Sequence, residues 1–173
     1  DATKKALIEE QGYICCYCER RLEDNDSHIE HFLPQSDLSV DDIDFSNMLC
    51  SCQKTLKSGE PRHCGNLKGD WFDAMLLVSP FDSSCESKFG YRADGTIYSV
   101  NNAQDAKTTI EKLGLNIPKL NSLRKTVIDS FLDDSLSDDE MKIFINSHLQ
   151  RSSDGKFGEF YTAIQYIFGD LAA

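Results

Sequence analysis

Residues 28–34 read His28-Ile29-Glu30-His31-Phe32-Leu33-Pro34, and the architecture of the chain turns on them. The segment alternates polar and apolar side chains briefly and stops at Pro, which suits a short strand or strand-like turn. On an extended backbone His28 and Glu30 share one face, while His28 and His31, three apart, point to opposite ones. A histidine beside a carboxylate is by itself an ordinary surface pair. Here thiols flank it on both sides.

Upstream lies Cys15-Cys16-Tyr17-Cys18, which contains a C-x-x-C pair; downstream come Cys50, Cys52 and Cys64, and only Cys85 lies beyond. Seven cysteines are an odd number and cannot all pair as disulfides within the chain. Their clustering, without a secretory signal, favours metal. A C-x-x-C pair needs two more thiols to close a tetrahedral zinc site. Cys52 and Cys64 are the preferred partners of Cys15 and Cys18, with Cys50 the competing ligand and Cys16 and Cys85 read as buried or incidental. A closed four-sulfur site contributes directly to folding. Eleven residues separate Cys52 from Cys64, so the second pair is a split one.

Length and charge bound the rest. A chain of 173 residues is one ordinary domain's worth of protein and buries about 70% of its unfolded surface on folding. Hydrophobic residues at 40% and charged residues at 27% argue against a fibrous or low-complexity chain. The net charge of -11 has the wrong overall sign for holding nucleic acid by bulk electrostatics. No apolar run approaches the roughly 20 residues that span a bilayer, and the opening DATKKALIEEQ is polar rather than signal-like. The expectation is a soluble, cytoplasmic chain with no membrane partner.

Around the cysteines the pattern predicts a helix over 3–11 stopped by Gly12, and a β-hairpin over 89–100 turning at Asp94-Gly95. From there the period becomes helical: 102–113, 117–132, 138–150 and 156–169. His148 falls on the third of these and reads as structural or exposed. The fold class expected is α+β, with a cysteine-rich module and hairpin over 1–100 and a helical region over 101–173 packed on it as one unit.

Glu30, His31, Pro34, Asn47 and Cys52 also stand in a specific order and spacing: an acid and His, Pro three residues after that His, then Asn, then Cys five residues later. In this the sequence resembles the HNH endonucleases, whose ββα-metal fold is interleaved with zinc cysteines. The five-residue offset is what favours Cys52 over Cys50. CCYCERRL, IEHFLPQS, FSNMLCSC, HCGNLKGDW and TTIEKLGLNIPKLNSLR look like the HNH subunits of Septu and retron-associated anti-phage systems, the PtuB-like family, over most of the chain.

The resemblance implies roles that the chemistry can support. Phosphodiester hydrolysis needs a group that deprotonates water and a cation that stabilises the leaving oxygen. His31 would be the base, and Glu30 a ligand of a divalent cation, Mg²⁺ first, since that ion keeps its waters and uses few carboxylates. Asn47 would orient His31 or its loop. The family's third motif residue usually follows the last zinc cysteine directly; here that position is Gly65, so Asn66 or His63 must serve as the second ligand. Glu30 stands where many HNH proteins carry Asp, and His28, on its strand face, is a candidate ligand or substrate contact.

Charge argues against self-sufficiency. Near the presumed site only residues 53–68 are basic, with Lys54, Lys57, Arg62 and Lys68 against Glu60, and these, with His63, are the candidate substrate contacts. A partner that supplies basic surface is expected, and the resemblance implies an ATPase subunit. The function expected is a metal-dependent HNH endonuclease acting on nucleic acid as effector of an anti-phage defence complex, with structural Zn²⁺ and catalytic Mg²⁺ or another divalent cation. The alternative is a catalytically inactive, zinc-stabilised protein-interaction module.

Overall fold

The computed structural model describes residues 2–36, 41, 43–132 and 135–172. Its first helix, α1 (Ala2–Glu10), turns Leu7 and Ile8 inward and is followed by a turn at Gly12, whose φ of +63° is open to glycine at little cost. Strands β1 (Ser27–His31) and β2 (Met48–Cys52) pair antiparallel with Ser27 opposite Cys52 and Glu30 opposite Leu49. All five residues of β2 are buried, because α1 and the short helix α2 (Cys64–Lys68) both pack on it. The element order β1, β2, α2 carries the Cys52–Cys64 gap as the connection into the helix.

A second antiparallel pair, β3 (Phe89–Tyr91) and β4 (Ile97–Ser99), forms the hairpin expected from Asp94-Gly95. Asp94 Oδ1 accepts hydrogen bonds from Thr96 N at 2.9 Å and Thr96 Oγ1 at 2.7 Å, the local side-chain bonding that makes Asp a turn residue. The tip docks on α4 (Pro118–Asp129), where buried Arg124 donates to the carbonyls of Gly95 and, at 3.2 Å, Leu115.

The helical half contains α3 (Gln104–Lys112), α4, α5 (Asp138–Leu149) and α6 (Tyr161–Ala172). Pro118 opens α4, and a reciprocal Ser137–Glu140 capping box opens α5. The last helix departs from the expected 156–169. Phe157 and Phe160 spend their backbone donors on the N-terminal half instead: Phe157 N donates to Gly12 O at 3.0 Å and Phe160 N to Glu19 O at 3.1 Å. Only then does α6 begin, capped from afar by Glu19, whose Oε2 accepts from Thr162 N at 2.9 Å.

Two apolar cores result. The first gathers Leu7, Leu22, Leu77 and Phe89, and continues past residue 100 through Leu113 and Leu120. The second joins the end of α4 to α5 and α6 through Ile128, Phe131, Ile145, Ile164 and Phe168. His148 belongs beside it, with its ring edge on Phe131 at 5.1 Å between centroids. No helix among the described residues is long and apolar enough to cross a membrane.

Candidate metal centre and cleft

Cys15 and Cys18 lie in a tight turn closed by an isolated antiparallel bridge, Ile14 to Arg21, with Glu19 N donating to Cys15 O at 3.0 Å. Cys52 ends β2 and Cys64 opens α2. The four sulfurs lie within 4.8 Å of one another, and Cys18 Sγ is 3.6 Å from Cys52 Sγ. Sulfurs around a tetrahedral zinc with Zn–S near 2.3 Å stand about 3.8 Å apart, so the group fits that ion. Cys50 is two residues back on β2 and outside the group, its backbone N and O held by the Gln11 side chain at 2.6 and 2.9 Å.

The electrostatics of Cys15, Cys52 and Cys64 point the same way. Burial opposes ionising Cys15, but hydrogen bonds from Cys16, Cys18, Cys52 and Cys64 outweigh it and hold its pKa well below the ordinary thiol value. Cys52 is raised, chiefly by its hydrogen bond to Cys15, and Cys64 is raised by burial. The Cys15 thiolate is favoured at the expense of Cys52 and Cys64, and a cation such as Zn²⁺ among the sulfurs would favour the thiolate form of its ligands. By contrast burial pushes Cys50 up to about 11 and Cys85 up to about 12, where they remain neutral thiols at ordinary pH.

The long connection between Cys52 and Cys64 is braced from within. Gln53 Oε1 accepts from His63 N at 2.9 Å, Gln53 Nε2 donates to Pro61 O at 2.8 Å, and Gln53 O accepts from Asn66 Nδ2 at 3.0 Å. Gln53 and Cys64 hold φ values of 68° and 55°, left-handed conformations that cost on the order of 1–3 kcal/mol each and persist where surrounding structure enforces them. His63 is fully buried, with Nδ1 3.2 Å from Cys64 Sγ, so it lines the thiol cluster rather than a substrate surface. Lys54, Lys57 and Arg62 are exposed on the same connection.

A cleft of about 220 Å³ opens between β1 and α2, lined by His28, Glu30, His31, Pro34, Gly65 and Asp70. Asn47 holds one edge: its Oδ1 accepts from Leu33 N at 2.8 Å and its Nδ2 donates to Leu33 O at 2.9 Å, which fixes the turn that follows His31. Of the two tasks expected of Asn47, the geometry provides the loop. Glu30 is 6% exposed, and Tyr17 Oη and Lys68 Nζ both meet its Oε1, at 3.2 and 3.0 Å. Lys68, expected at a phosphate, is instead buried, also donating to His31 O at 3.0 Å. Asn66 does not line the cleft among the described residues; the α2 position that faces Glu30 is Gly65.

Sequence reasoning missed Tyr17, Gln53 and Ser51, whose Oγ accepts from Gly65 N at 3.1 Å. Tyr17 sits inside the C-x-x-C pair, and its presence there gives no hint that its hydroxyl reaches Glu30.

No family model matches the chain. A relative does. The protein of Vibrio cholerae serotype O1 biovar El Tor named "Retron Vc95 putative HNH endonuclease" is 30% identical to this chain over 130 residues. The match covers 70% of this chain, which spans 61% of the length of that relative. The likeness is thus to a protein named as an HNH endonuclease of a retron.

Proposed function

We propose that the chain is a metal-dependent HNH endonuclease that hydrolyses phosphodiester bonds of nucleic acid as the effector subunit of a cytoplasmic anti-phage defence complex with an ATPase partner. In this reading β1, β2 and α2 are a ββα-metal core within residues 1–100, stabilised by Zn²⁺ on Cys15, Cys18, Cys52 and Cys64, and residues 101–173 form the helical region packed on it. The observation that carries the reading is the convergence of Glu30 and His31 on one cleft, with Asn47 pinning the turn between His31 and Pro34. The likeness to a protein named as a retron HNH endonuclease supports the defence setting.

A divalent cation held at Glu30 would supply charge stabilisation to the phosphate and its leaving oxygen. His31 takes a proton from the attacking water, a task that suits an imidazole near neutral pH. Asn47 acts as a positioning residue: two hydrogen bonds to Leu33 fix the backbone that aims His31. Lys54, Lys57 and Arg62 meet phosphates along the strand. Lys68 holds Glu30 from behind, so that its Oε2 faces the cleft side where His28 stands.

Two observations favour the second reading, a zinc-stabilised interaction module: the Lys68 ammonium pairs with Glu30, and position 65 offers no side chain. The deciding assay is nuclease activity of the purified chain on plasmid DNA and on RNA with divalent cation, with and without the ATPase, comparing wild type with His31→Ala. Cleavage lost in His31→Ala with zinc retained supports the enzyme. Absence of cleavage on every substrate with the partner present supports the module.

A further inference from the structure

His28 and Glu30 occupy alternate positions of β1 and project from one face, so whatever Glu30 binds, His28 is beside it. His28 Nε2 stands 3.6 Å from Glu30 Oε2, beyond hydrogen-bond reach. Its other nitrogen, Nδ1, is buried with no hydrogen-bond partner among the described residues. The candidate donor is therefore Nε2, which lines the cleft side that Glu30 Oε2 faces.

Glycine 65 completes the arrangement. It opens the first turn of α2, directly after Cys64, and its Cα looks at both side chains. A Cβ built there would overlap Glu30 Oε2 and stand 2.9 Å from His28 Nε2. The space that a third motif side chain would fill is therefore taken by the longer carboxylate of Glu30 and by the imidazole. Tyr17 and Lys68 both engage Oε1, which leaves Oε2 as the oxygen turned to His28. Two donors to one small divalent ion stand roughly 3–3.5 Å apart, given metal–ligand distances of about 2.1 Å. The observed pair lies close to that.

We infer that His28 Nε2 and Glu30 Oε2 are the two protein ligands of the catalytic divalent cation, the imidazole replacing the third motif side chain that position 65 lacks. The assignment rests on the nuclease reading of the same cleft. It leaves out Asn66, which does not line the cleft and whose Nδ2 donates to the Gln53 carbonyl. It also changes the preferred ion. An imidazole nitrogen beside a carboxylate favours Mn²⁺, Co²⁺ or Ni²⁺ over Mg²⁺, which takes oxygen ligands.

The test uses the full zinc-loaded chain with Mn²⁺ as probe, because Zn²⁺ is silent in electron paramagnetic resonance. Pulsed measurements on bound Mn²⁺ should show the nitrogen coupling of a directly bound imidazole in wild type, in Asn66→Ala and in His31→Ala. In His28→Ala that coupling disappears and Mn²⁺ affinity falls about tenfold or more. His28→Asn serves as a second variant, and retained zinc content shows that each variant has folded. Nitrogen coupling that survives in His28→Ala, Mn²⁺ that binds with no nitrogen coupling, no Mn²⁺ binding at all, or binding lost only in Asn66→Ala would each overturn the assignment. A His28-dependent nitrogen signal in a chain that cleaves nothing with its partner would instead overturn the nuclease reading and leave the ligand pair standing.

Discussion

The carboxylate of Glu30 and a side chain at position 65 compete for one volume: a Cβ on Gly65 would overlap Glu30 Oε2. Gly65 does not have a left-handed φ, so the demand for glycine is spatial and not conformational. Overpacking a filled site destabilises by roughly 1–3 kcal/mol, and shortening the acid should relieve it. Gly65→Ala is therefore expected to lose stability in that range, and Glu30→Asp with Gly65→Ala to recover at least about 1 kcal/mol of it. Urea denaturation of the zinc-loaded proteins measures the coupling. Effects that add within about 0.5 kcal/mol would show that the two positions do not share space.

Zinc should separate two cysteines that lie on the same strand. Cys52 belongs to the four-sulfur group and Cys50 does not. Cys52→Ser is expected to abolish zinc binding and the cooperative unfolding transition, since structural zinc supplies on the order of 10 kcal/mol to small zinc-binding modules. Cys50→Ser keeps its zinc and loses about 1–3 kcal/mol for a buried hydroxyl. Zinc content and thermal melts distinguish the pair; zinc lost from Cys50→Ser with Cys52→Ser unaffected would reverse the ligand set.

How much of this could be read in advance depends on whether the chemistry is local. The four-thiol group was legible because a C-x-x-C pair is a short-range signal and because the resemblance to the HNH endonucleases implies a Cys five residues after Asn47. The hairpin was legible because Asp94 bonds Thr96, two residues away. The start of α6 was not, because helical propensity over 156–160 loses to hydrogen bonds made with Gly12 and Glu19, residues from the other end of the chain. Lys68 looked like a phosphate contact in a basic stretch, and only folding reveals that its partner is Glu30. Tyr17 was invisible for the same reason: nothing in spacing encodes which acceptor a buried hydroxyl finds.

His148 is expected to make the helical half sensitive to mild acid. Burial lowers its pKa below the ordinary 6.5; the Glu159 carbonyl opposes that shift and Arg21 adds to it. Nε2 lies 2.9 Å from the Glu159 carbonyl, which can only accept, so the neutral ring carries its proton there. The folded state thus binds fewer protons than the unfolded chain as pH falls through 6.5, and the contribution present above that pH is lost below it. Denaturation midpoints between pH 8 and 5 (roughly the window of imidazole titration) should fall more steeply for wild type than for His148→Gln. Parallel profiles would show that another group governs the acid response, protonation of the zinc thiolates being common to both proteins.

Among the described residues the connection from β2 to α2 is the candidate phosphate contact. Lys54, Lys57 and Arg62 are exposed on this connection, which joins Cys52 to Cys64 of the thiol group. The acid among them, Glu60, pairs with Lys119, which holds its pKa down to about 2, and it also accepts from Lys57 N at 3.2 Å. Its charge is thereby balanced from α4, leaving the three cations to act on a ligand. Replacing all three by alanine is expected to weaken nucleic-acid binding and to lower the slope of log affinity against log salt by roughly 2–3, the value for three released counterions. Anisotropy titrations at several salt concentrations, in a His31→Ala background to prevent cleavage, read that slope. An unchanged slope would remove this connection from the substrate path and assign the electrostatic work to the partner, since the chain's own charge of -11 leaves little other basic surface to supply it.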